Sequence, residues 1–139
     1  MGQRRYVDVN VFVYWLGNHP EFGGKAREWI RRIESSARGR YVTSSLTIYE
    51  VLVILAGLTE RTLKDADLVD EAVSGIKSLV GLEIVPLSLG HIERAIKLMK
   101  EHGLDYEDAL HLAVALEKGV DEIISDDGDF DSTPLRRTF

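Results

Sequence analysis

The hydrophobic residues of the chain alternate between short β-prone runs and longer segments with helical spacing. Four runs have the length of buried strands, at residues 5–9, 40–44, 82–86 and 122–125. Between them, apolar side chains recur at intervals of three and four residues, which predicts amphipathic or buried helices. The predicted helices are a short one ending near Leu16 and the ranges 21–37, 46–58, 65–80, 88–102 and 106–118.

Glycine residues mark the ends of two of these helices. Gly103 and Gly119 directly follow helical segments, where glycine commonly supplies the left-handed conformation of a helix C-terminus. Strands that alternate with helices indicate a parallel sheet with helices packed on both faces. We therefore expect one domain over residues 1–139 with an α/β fold, a three-layer α/β/α sandwich around a central parallel sheet of four strands. A short fifth strand is expected near residues 136–139.

Length and composition agree with an ordinary globular domain. The chain has 139 residues, 45% hydrophobic and 29% charged, which suffices for a substantial core. Cysteine is absent, and this excludes disulfides and thiolate metal sites. No apolar run approaches the roughly 18 residues of a membrane helix, and Asp8 and Asn10 interrupt the first apolar stretch, unlike a signal peptide. We expect a cytoplasmic protein that does not enter a membrane.

The net charge gives weak guidance about binding partners. With 17 Lys and Arg against 23 Asp and Glu, the formal net charge is −6, which disfavours generic nucleic-acid binding through a basic surface. A solvated surface is the favoured explanation for the arginines taken alone. Acids that share a bound cation would, however, make the sign of the net charge misleading. The locally clustered arginines are Arg27, Arg31, Arg32, Arg38 and Arg40, with Arg136 and Arg137 further along the chain.

Acidic side chains stand at four places in the sequence, three of which lie inside or against hydrophobic segments. Asp8 leaves the first predicted strand, and Glu50 interrupts the apolar helix at 46–58 one turn after its start. Asp108 lies in the first turn of the last helix. An unpaired charge in such surroundings costs several kcal/mol, so each acid needs a compensating interaction. The fourth place is the loop after the last strand, which contains Asp126, Asp127 and Asp129.

Each of these acids also has an ordinary structural explanation. Asp8 could cap the helix that follows it, and Thr47 with Glu50 fits a capping box whose third helical residue is the glutamate. Asp105 could cap the last helix, with Asp108 in the first turn where the helix dipole favours an acid. The last loop contains a common Asp-Gly turn. If these explanations suffice, the protein is a non-enzymatic acidic interaction domain that shows no response to metal.

The combination of the four places favours a different interpretation. In a parallel α/β sheet, the ends of the strands and the first turns of the following helices lie on one rim. Carboxylates that converge there would repel one another unless a divalent cation bound between them. Ligation by oxygen without cysteine suits Mg²⁺ or Mn²⁺ better than Zn²⁺. Such a site fits hydrolysis of phosphate esters, because the ion activates water and offsets charge on the leaving oxygen.

Four segments extend this pattern over nearly the whole chain, from residue 6 to 130. They are Tyr6–Val11, Ser44–Leu52, Asp105–Ala113 and Ile124–Phe130. In order and spacing they resemble the motifs of PIN-domain ribonucleases, most of all the VapC-type toxins of prokaryotic toxin–antitoxin pairs. The resemblance implies Mg²⁺- or Mn²⁺-dependent hydrolysis of RNA phosphodiester bonds. It also implies a homodimer and a cognate antitoxin that blocks the site.

The resemblance also assigns the catalytic residues. Glu50 would bind a second metal ion or orient the attacking water, and the other acids of the set would bind metal. Asp129 would be an additional or alternative ligand. Asp127 is preferred to Asp126 because this choice places Asp129 and Phe130 as the family usually has them. The catalytic and metal-binding set is therefore Asp8, Glu50, Asp108 and Asp127.

Three further residues are expected to support these acids. Asn10 would assist the first acid, and Ser125 stands where the family often has threonine. His111 lies three residues after Asp108 on the same helix face, where a supporting, partly buried histidine is favoured over a catalytic base. The chain departs from the family at Val9, where a small hydroxyl residue is common, so one hydrogen bond of the family pattern is missing.

The main alternative enzyme is a phosphatase of the haloacid-dehalogenase type. Such enzymes also begin with an apolar strand that ends in an aspartate, here Asp8, and have an acidic loop after the fourth strand. They need a second acid two residues after the nucleophile, and that position is Asn10. No obvious lysine-bearing motif precedes the last loop, and the chain is short for that fold. These departures disfavour the phosphatase.

Overall fold

The computed structural model describes residues 3–139, and five strands in this part of the chain form a single sheet. They are β1 (Arg5–Val7), β2 (Tyr41–Ser44), β3 (Leu82–Val85), β4 (Glu122–Ile124) and β5 (Arg136–Thr138). Their order in the sheet is β3-β2-β1-β4-β5, and every neighbouring pair is parallel. The predicted parallel sheet is confirmed, and the short fifth strand closes the edge beside β4.

Six α-helices connect the strands, and their ends agree with the predictions to within a few residues. They are α1 (Val9–Leu16), α2 (Gly23–Glu34), α3 (Ser45–Leu58), α4 (Ala66–Lys77), α5 (Leu89–His102) and α6 (Tyr106–Glu117), followed by a 3₁₀ helix at Gly128–Ser132. Gly103 and Gly119 adopt φ of 68°, as expected for residues that end α5 and α6. None of the helices within residues 3–139 has the length and apolarity that crossing a membrane requires.

The prediction of a first strand at 5–9 is wrong at its C-terminal end. The strand ends at Val7, Asp8 is the N-cap of α1, and Val9 is the first helical residue. The Asp8 carboxylate accepts a hydrogen bond from the backbone N–H of Val9, 2.8 Å away. This cap starts a helix in an apolar run whose valines would otherwise favour a strand.

The predicted capping box of Thr47 and Glu50 is also wrong. The N-cap of α3 is Ser44, whose hydroxyl accepts a hydrogen bond from the backbone N–H of Thr47 at 3.3 Å. Thr47 is therefore the third helical residue, and Glu50 lies a further turn along the helix. Because Glu50 cannot cap from that position, a structural explanation based on the helix end does not apply to it.

The core has two parts, one on each face of the sheet. Tyr6 and Ile123 point to the face covered by α5 and α6. Their neighbours Val7 and Ile124 point to the face covered by α1, α2, α3 and α4, as the alternation of strand side chains requires. The predicted three-layer α/β/α arrangement is confirmed. Every residue of α6 from Ala109 to Ala115 is buried, so the helix is fixed between α5 and the sheet.

A close approach of backbone segments at Gly81 provides a test of this packing. A Cβ atom at Gly81 would lie 2.2 Å from the carbonyl oxygen of Ile33, at the end of α2. We predict that Gly81→Ala lowers the free energy of unfolding by roughly 1–3 kcal/mol or more in urea titrations. Gly57→Ala is the control, because its Cβ on the exposed side of α3 meets nothing within 4 Å. This control should raise the stability by about 0.5–1 kcal/mol, and an equal loss in both variants would contradict the prediction.

Candidate functional site

A cleft of about 410 Å³ opens where β1 and β4 end and where α3 and α6 begin. Its walls include all four acids of the predicted catalytic set, and the expected supporting residues Asn10 and His111 lie beside them. Two acids that the sequence did not assign to the site, Asp105 and Glu107, also form part of the wall. The acidic residues that line the cleft are Asp8, Glu50, Asp105, Glu107, Asp108, Asp127 and Asp129.

Three of these carboxylates form a close group. Asp108, Asp127 and Asp129 each offer an oxygen, and the three oxygens lie within 4.8 Å of one another. Asp108 comes from the first turn of α6, whereas the other two come from the loop and 3₁₀ helix after β4. Asp8 and Glu50 line the same cleft but lie outside this group. An oxygen-only group of this size can hold a hard divalent cation.

Asp8 occupies the buried end of the cleft, with only 5% of its surface exposed. One carboxylate oxygen caps α1, and the other accepts a hydrogen bond from the hydroxyl of Ser125 at 2.6 Å. Burial raises the pKa of Asp8, although the nearby His111 and these two hydrogen bonds oppose that shift. The residue therefore has the predicted capping role and also contributes a carboxylate to the cleft.

The buried hydroxyl of Ser125 joins the acidic loop to α1. It donates to Asp8, and it accepts hydrogen bonds from the backbone N–H of Asp127 at 3.0 Å and from the amide of Asn10 at 3.3 Å. The side-chain oxygen of Asn10 in turn accepts from the backbone N–H of Asp126 at 3.2 Å. Serine thus supplies the hydroxyl that threonine often supplies in the family, and it holds the backbone of the loop in place.

The two adjacent acids Asp126 and Asp127 point in different directions. Asp126 accepts a hydrogen bond from the hydroxyl of Tyr14 at 3.0 Å, so its side chain is directed towards α1. Burial and this carboxylate raise the pKa of Tyr14 to about 12. Asp127 caps the 3₁₀ helix through the backbone N–H of Asp129 and lies in the close group of acids. The geometry therefore sets Asp127, rather than Asp126, beside Asp108.

Glu50 is held by a buried chain of hydrogen bonds. Its carboxylate lies 2.6 Å from Nε2 of His111, and Nδ1 of the same ring lies 2.7 Å from the hydroxyl of Tyr6. The Tyr6 hydroxyl donates to Ser44 at 3.0 Å, so both ring nitrogens of His111 act as donors. Burial lowers the pKa of His111, but Tyr6, Glu50 and Asp8 outweigh burial and raise it well above its usual value. A charged ring at this position fixes Glu50 in its ionised form.

Tyr6, Asp105 and Glu107 are the parts of the site that the sequence analysis missed. A fully buried tyrosine needs a partner for its hydroxyl, and this requirement was the available signal for Tyr6. Asp105 was expected only as a cap, and it does accept from the backbone N–H of Asp108 at 2.9 Å. Glu107 shares a hydrogen bond with Glu50, which raises the pKa of Glu107. Its exposed position in the first turn of α6 gave no sign of that contact.

Asp108 shows the electrostatic cost of gathering these acids. Its pKa rises to about 7, first because the carboxyl is partly buried and then because Asp105, Asp127 and Asp8 lie close by. The charge of His111 opposes this rise. Near neutral pH, Asp108 is therefore partly protonated, and a cation that neutralised its neighbours would favour the ionised form.

The fold and the cleft define an α/β protein whose site lies at the carboxyl ends of parallel strands. Residues 5–135 match the PIN domain, and the chain belongs to this family. The resemblance seen in the sequence motifs is thereby confirmed. Membership of the PIN family also removes the haloacid-dehalogenase phosphatase as an alternative. PIN-domain nucleases generally use divalent metals, and the acidic group in the cleft agrees with this property.

Two proteins that are named as ribonucleases are similar to this chain over most of its length. Ribonuclease VapC1 of Aquifex aeolicus is 33% identical over 136 residues, which cover 96% of this chain and 88% of the relative. Ribonuclease VapC23 of Mycobacterium tuberculosis is 29% identical over 119 residues, 85% of this chain and 88% of the relative.

Two solved structures share the fold. The Sarcin-Ricin loop cleaving toxin VapC20 of Mycobacterium tuberculosis superimposes with a TM-score of 0.72 at 17% identity, covering 92% of this chain and 93% of the other. A toxin–antitoxin complex from Klebsiella pneumoniae superimposes with a TM-score of 0.68 at 20% identity, covering 95% of this chain and 98% of the other. At these identities the structures establish the three-layer fold.

The raised pKa of Asp108 predicts the pH dependence of stability without metal. The folded state binds the proton of Asp108 more tightly than the unfolded state, so the penalty of ionisation is fully present above pH 7 and is relieved as pH falls. In EDTA, the free energy of unfolding should rise from pH 8 to pH 5.5. The slope is below about 1.4 kcal/mol per pH unit, because solvent screens a partly exposed carboxylate.

Urea titrations of Asp108→Asn measure the contribution of this carboxyl to the slope. The variant should lose part of the pH dependence. The remainder should reflect His111, Asp8 and Glu107, whose raised pKa values act in the same direction. Asp67→Asn, on the exposed first turn of α4, is the control and should follow the wild type. If Asp108→Asn kept the full wild-type slope, the pH dependence of stability would not come from the Asp108 carboxyl.

Proposed function

We propose that this protein is a divalent-metal-dependent endoribonuclease, formed by a single PIN-like domain over residues 1–139. The observation that carries the proposal is the group of three carboxylate oxygens within 4.8 Å in the cleft. Membership of the PIN family and the two relatives named as ribonucleases support the same activity. RNA phosphodiester bonds are the proposed substrate.

The donor set supports Mg²⁺ or Mn²⁺ as the ion. Oxygen atoms alone form the close group, and these two ions prefer such ligands. His111 lines the cleft but uses both ring nitrogens in other hydrogen bonds, so it is not offered as a ligand. A divalent ion bound there would lower the pKa of a water molecule and offset charge on the leaving oxygen.

The residues of the cleft have distinct proposed roles. Asp108 and Asp127 hold the ion directly, with Asp129 as an additional ligand from the 3₁₀ helix. Asp8 lines the same cleft and accepts hydrogen bonds from Val9, Ser125 and, at 3.5 Å, the amide of Asn10. It would complete the ligand set with the lone pairs that these bonds leave unused. Glu50, held by His111, orients the attacking water or contributes to a second ion site.

We also propose that the protein is the toxin of a toxin–antitoxin pair, acts in the cytoplasm and forms a homodimer. The structural neighbour from Klebsiella pneumoniae is a toxin–antitoxin complex.

Exposed apolar side chains on α3 and α5 support docking of other proteins, with Leu58 65% and Leu89 69% exposed. Ile54 belongs to the exposed apolar face of α3 and also lines the cleft. A protein that covered α3 would therefore lie beside the acids, which suits an antitoxin that blocks the site.

The simpler alternative, an acidic interaction domain, agrees with part of the structure. Asp8, Asp105 and Asp127 do cap helices, as that explanation requires. It does not account for Glu50, which lies within α3 against a buried histidine. It also gives no reason for three carboxylates to share one cleft at the cost of a raised pKa at Asp108.

The first functional prediction concerns catalysis. Cleavage of RNA should require Mg²⁺ or Mn²⁺, and EDTA should abolish it. Asp108→Asn and Asp127→Asn should each lower the rate at least about a hundredfold, because even the partners of metal ligands typically contribute 10–100-fold. Asp67→Asn, which removes one exposed acid away from the cleft, should retain the wild-type rate. Gel-based cleavage assays measure the rate for the wild type, with metal and with EDTA, and for the three variants. Undiminished hydrolysis in EDTA would overturn the proposal.

The second functional prediction concerns the histidine that holds Glu50. In His111→Gln the longer amide can still donate to Glu50, whereas in His111→Asn the shorter amide can reach only the Tyr6 side. Calorimetric titration should therefore show weaker Mn²⁺ binding in His111→Asn, by roughly 10–100-fold, and a smaller loss in His111→Gln.

A second buried histidine provides the matched control. His91 also bonds a carboxylate, Glu117, through Nε2 at 2.9 Å, but this pair joins α5 to α6 away from the cleft. His91→Asn should lower the melting temperature without changing Mn²⁺ affinity. Equal Mn²⁺ affinity in His111→Asn, His91→Asn and the wild type would show that the contact between His111 and Glu50 serves stability alone.

A further inference from the structure

Four aromatic side chains, here called the aromatic platform, pack together beside the acidic cleft. They are Tyr14 of α1, His19 and Phe22 of the following loop, and Phe139. Their ring centroids lie between 4.8 and 6.1 Å apart. Tyr14 belongs to both features, because it lines the cleft and contacts the other three rings. The platform is therefore a direct continuation of the cleft wall.

The ring of His19 is held in a fixed orientation on this platform. Its Nδ1 accepts hydrogen bonds from the backbone N–H groups of Glu21 and Phe22, at 3.1 and 3.0 Å. The imidazole stacks on the ring of Phe22, with centroids 5.2 Å apart and an interplanar angle of 26°. Because Nδ1 is an acceptor, Nε2 carries the proton and is a donor. His19 and the other three rings are all partly exposed to solvent.

Positive charge accompanies the platform. The ammonium group of Lys25 lies 5.1 Å from the ring centroid of Phe139, and the guanidinium of Arg27 bonds the amide oxygen of Asn18 at 3.0 Å. Among residues 3–139, neither cation forms an ion pair with a carboxylate. Both charges are therefore available to an external anion.

The other arginine group considered in the sequence is differently placed. Arg136 forms an ion pair with Glu122 at 2.6 Å, and Arg137 pairs with Asp131 at 2.8 Å. Arg137 is thereby neutralised within the protein. Arg136 shares the single charge of Glu122 with Arg5, but it begins β5 and so lies at the edge of the sheet opposite the cleft. The uncompensated cations that lie next to the cleft are thus on the α2 side, at the aromatic platform.

Proteins bind single-stranded nucleic acid through two features that occur together here, partly exposed aromatic rings and unpaired cations. Bases stack on the rings, and the cations attract the phosphates. We propose that the aromatic platform is a stacking subsite for an unpaired nucleobase of the RNA substrate, next to the phosphodiester that is cut. This inference rests on the proposed ribonuclease function and deepens it, because a base held in a duplex cannot stack there. The substrate class is therefore single-stranded or looped RNA.

The test uses a short single-stranded RNA that carries 2-aminopurine, whose fluorescence is quenched when the base stacks. Binding is measured in the full chain with Asp108→Asn, so that hydrolysis does not consume the probe. His19→Asn removes the stacking ring, while its shorter amide oxygen can still accept the two backbone N–H bonds. Lys25→Ala removes one exposed cation. Each substitution should weaken binding roughly tenfold, and His19→Asn should also reduce the quenching.

A matched control lies on the same helix. Arg32 stacks over Trp29 at 4.6 Å, so Arg32→Ala also removes one positive charge and one cation–π contact, but two turns away from Lys25. The Arg32→Ala variant should bind the probe as tightly as the parent protein, which carries Asp108→Asn alone. Melting curves establish whether each variant folds. If His19→Asn does not fold, the binding measured for Lys25→Ala decides whether the subsite exists.

The outcomes separate this inference from the proposed function. If the wild type cuts RNA with metal but His19→Asn and Lys25→Ala bind and quench the probe as the parent does, the subsite is refuted and the ribonuclease remains. Variants that bind RNA normally but lose a cognate antitoxin would assign the platform to the protein partner and also refute the subsite. If no RNA is cut under any metal condition, the proposed function itself fails.

Discussion

The structure depends on one electrostatic constraint, the cost of holding several carboxylates together against a hydrophobic core. Burial raises the pKa of Asp8. Burial, followed by repulsion from the neighbouring aspartates, raises the pKa of Asp108 to about 7. The fold offsets this cost locally. Helix caps, the hydroxyl of Ser125 and the charged ring of His111 each supply a donor to an acid. A cation bound in the cleft would relieve the remaining unfavourable energy, and its binding would then be coupled to stability.

The structural and functional explanations of the acids are compatible rather than exclusive. Asp8 and Asp127 each cap a helix with one oxygen, and a carboxylate has further lone pairs for other partners. Capping fixes the direction of the side chain before any ligand arrives. The same residues can therefore start a helix and present an acid to the cleft. Glu50 is different, because its orientation depends on His111 and not on a helix end.

The alternation of strands and helices was sufficient to predict the layers and the parallel sheet, because most apolar runs have one dominant period. The end of the first strand was not predictable from propensity, since the valines of α1 favour strands and a cap overrode them. The acids were found because charge stands out in apolar segments. Tyr6 and His111 meet across 105 positions of sequence, and no local pattern encodes such a contact. The nearness of Asp129 to Asp108 likewise depends on the turn of a 3₁₀ helix.

The bonds between α1 and the loop after β4 make the two segments thermodynamically linked. Ser125 bonds Asp8 and Asp127 at once, and Tyr14 bonds Asp126 in the same loop. A ligand that shifts the loop therefore also shifts α1, and the coupling free energy is identical in either direction. Tyr14 belongs to both the cleft wall and the aromatic platform, so ligands bound at the two places would influence each other through these bonds.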